Sequence, residues 1–254
     1  MSAIAIIPAR YSSTRFPGKP LCKIAGKYMI QHVYESVKKA KFVQDVFVAT
    51  DNDLIYDAVA SFGGIAVKTD EKHESGTDRI AEAVNKIGFD LKDEDVIVNV
   101  QGDEPLIKPQ MVDDVVELMK DDKAAIGTLA KKITECKEIN DPNVVKVVFG
   151  EDGFAFYFSR APIPYHRDLF GKEDFNCDSF SMFKHIGIYA YKKKVLAEFS
   201  KMTASRLECI ERLEQLRALE RGYRIKIKET AYETIGVDTP MDIERVEKCL
   251  SISL

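Results

Sequence analysis

Short runs of β-branched and other apolar residues alternate with stretches of helical periodicity through the first half of this chain, and few architectures accept that rhythm. The apolar runs cover residues 3–7, 46–50, 65–67, 96–100 and 126–129, with helical patterns at 29–40, 54–62, 78–87 and 110–120 between them. Strand, helix, strand in this order predicts an α/β fold with a mostly parallel central sheet covered by helices on both faces. Ligands of such sheets sit beyond the carboxyl ends of the strands. Pro8, Asp51 and Gln101–Gly102–Asp103 fall at those ends, so three distant segments are expected to converge on one crevice.

The rhythm changes in the second half, which predicts a smaller β-rich segment within a single domain. Residues 144–149, 154–159 and 183–191 read as strands, and Gly-Glu-Asp-Gly at 150–153 marks a hairpin turn between the first two. Residues 166–181 are polar and aperiodic and read as a loop. A long helix is expected at 207–221, stopped by Gly222, and a last helix after Thr239-Pro240.

The 254 residues include 37 Lys plus Arg against 41 Asp plus Glu, a formal net charge of −4. That balance gives no support for nucleic acid or an anionic membrane as a partner. No apolar run approaches the roughly 20 residues that span a bilayer. The chain starts without a basic leader or a cleavage site, so the cytoplasm is the expected compartment. The cysteines (Cys22, Cys136, Cys177, Cys209 and Cys249) are scattered, without a Cys-x-x-Cys pair. They are expected to be reduced, and structural or incidental.

Against this acidic background the first 34 residues hold five basic side chains and no acidic one. Arg10, Arg15 and Lys19 lie in a loop containing Pro and Gly that follows the first apolar run. Free backbone N–H groups and fixed positive charge at such a place suit a polyphosphate; a solvated basic surface is the plainer alternative. The spacing fits neither a Walker A loop nor a G-x-G-x-x-G turn.

Two carboxylates stand out. Asp103 follows Gly102 where an apolar run ends and is a good hard-oxygen ligand for Mg2+, although Asp103 or Glu104 could simply cap the turn. In Gly236-Val-Asp-Thr-Pro-Met-Asp, Thr239, Pro240 and Asp242 fit an N-cap, an N1 proline and an acidic N3. That assignment leaves Asp238 free to share a metal with Asp103.

In Ser75-Gly-Thr-Asp-Arg, the small polar residues could contact a base or phosphate, and Thr77 taken alone reads as a helix cap. On the strand at 183–191, a period of two puts His185, Gly187 and Tyr189 on one face and Ile186 and Ile188 on the other. A polar-aromatic face with a glycine gap suits a polyhydroxylated ligand, and Arg160 could pair a carboxylate in bidentate fashion. Glu214 and Gln215 lie on the predicted long helix, whose Leu213, Leu216 and Leu219 face the core.

Together the segments IIPARYSSTRFPGKPL, VATD, SGTDR, VNVQGDEP, NVVKVV, YFSRAPIP, KHIGIYAY, LEQLRALE and GVDTP resemble the 3-deoxy-manno-octulosonate cytidylyltransferase (CMP-Kdo synthetase) family, in its order and over residues 4–245. Departures are Tyr28, where the family usually has Pro, and residues 166–181, which match nothing in it. The resemblance implies a Rossmann-like sheet and a homodimer formed through the second half. Residues 1–130 would bind CTP, 131–235 the sugar and the second subunit, and 236–254 would supply the second metal Asp and a closing helix.

It also implies a nucleotidyltransferase that makes CMP-Kdo and pyrophosphate from CTP and Kdo for lipopolysaccharide biosynthesis. Arg10 and Lys19 would hold the triphosphate, supported by Ser13 and Arg15. The backbone of Pro8 and Ala9 and the turn at Ser75 and Gly76 would read cytosine, and Asp103 and Asp238 would coordinate Mg2+. Gln101, Arg160, His185, Tyr189, Glu214 and Gln215 would cradle the sugar acid, with His185 positioning substrate and not acting as base. Alternatives are a cytidylyltransferase for 8-amino-Kdo or a sialic-acid relative, or a non-catalytic nucleotide-binding regulator; the presence of both aspartates weighs against the last.

Overall fold

The structure is a computed structural model and describes residues 2–12, 16–73, 75–168, 170 and 181–252. Strand β1 (Ala3–Pro8) runs through the middle of the sheet, with Ala3, Ala5 and Ile7 in one apolar cluster and Ile4 and Ile6 in another. Side chains alternate between the faces of a strand, so a run apolar at every position requires cover on both. Strands β4 (Asp45–Thr50) and β6 (Val96–Asn99) repeat the pattern: Val46, Val48, Val96 and Val98 join the first cluster, Phe47, Ala49 and Ile97 the second.

Helices α1 (Met29–Val37), α2 (Asp53–Ser61) and α4 (Pro109–Leu118) cover the first face through residues such as Val33, Ile55 and Val112. Helices α3 (Gly76–Lys86), α6 (Lys193–Phe199) and α8 (Gln215–Glu220) cover the second through Ile80, Leu196 and Leu216. Tyr28 caps the start of α1 with φ −61° and ψ 144°, backbone angles that proline also adopts. The departure from the family pattern at Tyr28 therefore leaves the helix start intact.

β2 (Lys23–Ile24) and β3 (Lys27–Tyr28) form a separate two-stranded sheet, α5 (Lys137–Asn140) is a single turn, and the remaining main strands are β5 (Ala66–Lys68), β7 (Ile126–Lys132), β10 (Phe183–Lys192) and β11 (Ile225–Glu229). The sheet order is β11-β7-β10-β6-β1-β4-β5. β1 pairs in parallel with β4 and β6, β4 with β5, and β11 with β7, while β10 lies antiparallel between β6 and β7. The chain leaves β1 toward β4 and β5, then returns to place β6 on the other flank of β1. The crevice beyond the carboxyl ends of β1 and β6 is thus a topological switch point. The hairpin of β8 (Lys146–Phe149) and β9 (Ala155–Ser159) hangs from β10 as the expected β-rich segment.

Three expectations need correction. The helix expected at 207–221 is two, α7 (Arg206–Glu211) and α8, because Arg212 turns left-handed at φ 55° and breaks the first. β11 has the alternation Ile-Lys-Ile-Lys but was not among the expected strands. Cys136 is disulfide-bonded, so the expectation of reduced thiols fails for that residue. Ser13, Arg15, Cys177 and most of 166–181 lie outside the described residues.

Candidate active site

The loop after β1 is shaped by a glycine that must be one. Gly18 has φ 70°, and its N–H donates to the Tyr11 carbonyl at 2.9 Å. This left-handed residue starts the 3-10 turn Lys19–Leu21, which carries Lys19 back over the end of β1. There the Lys19 ammonium donates to Asp103 Oδ2 at 2.6 Å and lies 3.5 Å from Asp238 Oδ1.

Asp103 reaches this point because β6 ends in a turn closed by backbone alone, with the Glu104 N–H on the Gln101 carbonyl and the Ile107 N–H on the Glu104 carbonyl. Its carboxylate is not spent as a cap. Asp238 arrives by a different route. Val237, fully buried with Ile24, Met29, Leu106 and Val246, donates its N–H to the Asp103 carbonyl at 2.9 Å. The start of α9 (Pro240–Ile252) is then held by Asp242 Oδ2, which accepts from the Thr239 N–H, the Thr239 hydroxyl and the Asp238 N–H. That cap keeps the Asp238 carboxylate out of the helix start, with its Oδ1 3.5 Å from the Lys19 ammonium. The two aspartates, 135 positions apart in sequence, meet at one cation.

Around this pair lies a cleft of about 270 Å³ lined by Pro8, Ala9, Arg10, Lys19, Ser75, Gly76, Arg79, Gln101, Gly102, Asp103 and Asp238, among others. The expected nucleotide residues that are described therefore share one cavity with both aspartates. Arg79 also lines it, and sequence reasoning missed its part. It is buried at 3% exposure, and its guanidinium donates to Thr69 Oγ1 and Asp51 Oδ2. A buried arginine spent on neutral and acidic partners stiffens the turn beneath the cleft. The signal for it is its place at the end of Ser-Gly-Thr-Asp-Arg, one helical turn after the cap.

The sugar candidates lie apart from these lining residues. Gln101 bridges the two groups: it lines the cleft, and its side chain donates to Asn99 Oδ1 at 3.3 Å. A Cβ built on Gly187 of β10 would lie 3.9 Å from the Gln101 side chain and 3.7 Å from Glu104 Oε1, so the glycine gap faces this strip. Burial, aided by Asp103, raises the Glu104 carboxyl to about 8.

His185 and Tyr189 share a face, with ring centroids 5.3 Å apart, despite a bulge in β10 between Ile186 and Tyr189. Burial pulls His185 down to about 3, so it is neutral at pH 7. Its Nε2 lies 3.0 Å from Thr128 Oγ1, whose proton goes to the Ile188 carbonyl at 2.7 Å. Nε2 accordingly carries the imidazole hydrogen and Nδ1 is left as an acceptor.

Glu214 stands at the start of α8, with Gln215 buried beside it. The Thr77 hydroxyl donates to Glu214 Oε2 at 2.6 Å, while Ser75 caps α3 by accepting from the Asp78 N–H at 3.1 Å. The capping role suggested for Thr77 therefore belongs to Ser75. Arg160 is tied down: its guanidinium donates to the carbonyls of Glu211, Pro142 and Arg212 at 2.7, 2.7 and 3.4 Å.

A family model described as cytidylyltransferase matches residues 4–228. A 3-deoxy-manno-octulosonate cytidylyltransferase of Thermodesulfovibrio yellowstonii is 53% identical, with 99% of each chain covered. An 8-amino-3,8-dideoxy-manno-octulosonate cytidylyltransferase of Shewanella piezotolerans is 47% identical over 99% of this chain and 100% of its own. A solved structure described as CMP:2-keto-3-deoxy-manno-octonic acid synthetase complexed with CTP is 42% identical, superposes with a TM-score of 0.90 and covers 100% of both chains. Fold, shared cleft and full-length likeness agree, and the chain belongs to the 3-deoxy-manno-octulosonate cytidylyltransferase family of nucleotidyltransferases.

Proposed function

We propose that the cleft transfers CMP from CTP to the anomeric hydroxyl of Kdo, giving CMP-Kdo and pyrophosphate for lipopolysaccharide biosynthesis. The observation that carries this reading is the meeting of Asp103, Asp238 and Lys19 at the switch point, beside the Pro8–Arg10 and Ser75–Gly76 segments. Backbone groups of Pro8 and Ala9, with the Ser75–Gly76 turn, read cytosine, and Arg10 and Lys19 hold the triphosphate. The sugar's anomeric oxygen attacks the α-phosphorus in line, its proton passes to solvent water, and the bond to pyrophosphate breaks. Negative charge grows on the leaving group, so cationic Arg10 and Lys19 bind the transition state more tightly than the ground state.

The donor set suits Mg2+. Asp103 and Asp238 offer hard carboxylate oxygens, already drawn around one cation, and Mg2+ takes one or two carboxylates together with phosphate oxygens and water. Among the described residues no cluster of three or more His, Cys, Asp and Glu competes for such an ion. When bound there, Mg2+ supplies charge neutralisation of the phosphates and a lowered pKa for a coordinated hydroxyl. His185, neutral over the working range, positions the sugar together with Gln101, Tyr189, Glu214 and Gln215. Arg160 holds the β9–α7 junction that frames them.

A homodimer formed through the second half belongs to the same proposal; exposed Phe156 on β9 and Ile210 on α7 supply apolar surface there. Among the described residues no helix is long and apolar enough to cross a membrane, in keeping with a cytoplasmic enzyme fed by CTP.

The deciding experiment is pyrophosphate release with CTP against Kdo, 8-amino-Kdo and a sialic acid, with and without EDTA. Kdo is expected to be the best substrate, with activity silenced by EDTA and restored by Mg2+. Preference for the amino sugar would move the assignment to the activity named for the Shewanella relative.

A further inference from the structure

Thr77 is the second residue of α3 and is 1% exposed, yet its hydroxyl serves no purpose in its own helix, which Ser75 caps. The hydroxyl proton goes instead to Glu214 Oε2, at 2.6 Å and across 137 positions of sequence. The other oxygen of that carboxylate, Oε1, is buried and meets no donor at hydrogen-bond geometry among the described residues; the Ser75 hydroxyl favours the ionised carboxylate without closing such a bond to Oε1.

The nearest cation does not fill the gap. Arg217 Nη2 is 3.8 Å from Oε1, and its guanidinium donates to Glu208 and to the Met202 carbonyl. Buried acceptors without a donor are rare, and each calls for an explanation. Tyr189, one of the sugar candidates, lies close enough to feel the charge of Glu214. Glu214 therefore has one anchored oxygen and one waiting oxygen.

We infer that Thr77 is a positioning residue: by holding Glu214 Oε2 it aims Oε1 to accept a hydroxyl hydrogen of the sugar acid. It does so from the turn whose neighbours Ser75 and Gly76 line the nucleotide cleft. This rests on the reading of Glu214 as a sugar contact, and the test separates the two.

Steady-state pyrophosphate release is measured for Thr77→Val, Thr77→Ser and Glu214→Gln, with Thr77→Ala replacing the valine variant if that does not fold. Thr77→Val is expected to raise KM for the sugar about ten-fold, the worth of about 1.4 kcal/mol, with KM for CTP changed less than about two-fold. Thr77→Ser, which keeps the hydroxyl, should remain within about two-fold of the parent in both. An unchanged sugar KM in Thr77→Val, an equal rise for both substrates, or a serine variant as impaired as the valine one overturns the role of Thr77. If Glu214→Gln itself leaves the sugar KM unchanged, the reading of Glu214 fails instead, and the inference with it.

Discussion

At Gly102 the two halves of the cleft approach closely. A Cβ added there would lie 2.9 Å from the Pro8 carbonyl oxygen, 3.3 Å from Ile30 Cδ1 and 3.4 Å from Ile7 Cγ2. The first of these is backbone at the carboxyl end of β1 and cannot rotate away. An ordinary contact begins near 3.4 Å, so Gly102→Ala must part β1 from the β6 turn by roughly 0.5 Å. Overpacking of this kind costs about 1–3 kcal/mol, which for a chain of this size lowers Tm by on the order of 5 °C. The same displacement moves Pro8 relative to Asp103, and a misplacement of about 1 Å near reacting groups can cost roughly a hundred-fold. A loss of about ten-fold in kcat/KM is expected for half that shift.

Thermal unfolding followed by circular dichroism and continuous pyrophosphate release give the two numbers. Gly236→Ala, where an added Cβ meets nothing within 4 Å, is the control and should stay near the parent in Tm. A Gly102→Ala protein with parental Tm and parental activity would refute the argument that close backbone approach sets the cleft.

Other outcomes are expected at single sites. His185, held neutral down to about 3 by burial, binds no proton in the native state while the unfolded chain binds one below about 6.5. The stability this neutral site contributes is complete above about 6.5 and is lost as pH falls, at about 1.4 kcal/mol per unit. The urea midpoint of His185→Gln, compared with the parent between pH 7 and 4.5, should show a shallower loss; equal slopes would place the titration elsewhere. Arg160→Ala releases three backbone carbonyls and should lower Tm while raising KM for the sugar more than for CTP. An unchanged Tm would contradict its role at the β9–α7 junction. Lys19→Met leaves Asp103 and Asp238 facing each other without their shared cation. It should weaken CTP binding at least ten-fold by titration calorimetry, and parental affinity would remove Lys19 from the triphosphate site.

The strands that build the site were legible because their signal is local. β1, β4 and β6 are apolar at successive positions, and each run is broken at or just beyond the strand's end, so the crevice at their carboxyl ends could be placed from sequence. The pairing of Asp103 with Asp238 was legible for a different reason. Thr239 and Asp242 hold the helix start, so the Asp238 carboxylate is not needed there.

What escaped depends on contacts that no short pattern encodes. The break at Arg212 uses a left-handed residue that is neither Gly nor Asn, so nothing in 207–221 marks it. Thr77 reads as a cap until α8 brings Glu214 to it. Arg160 reads as a carboxylate binder until Pro142, Glu211 and Arg212 surround it with carbonyls. β11 was readable: its alternation is plain, and its lysines reach Asp114, Glu117 and Asp121 at the sheet edge.

The account turns on two aspartates 135 positions apart in the chain holding one divalent ion against a bound triphosphate. Mn2+ binding in the presence of CTP, followed by electron paramagnetic resonance on the parent, Asp103→Asn and Asp238→Asn, tests this directly. The account expects each variant to hold the ion at least ten-fold more weakly than the parent, with both losing pyrophosphate release. Variants that retain Mn2+ as tightly as the parent would contradict it.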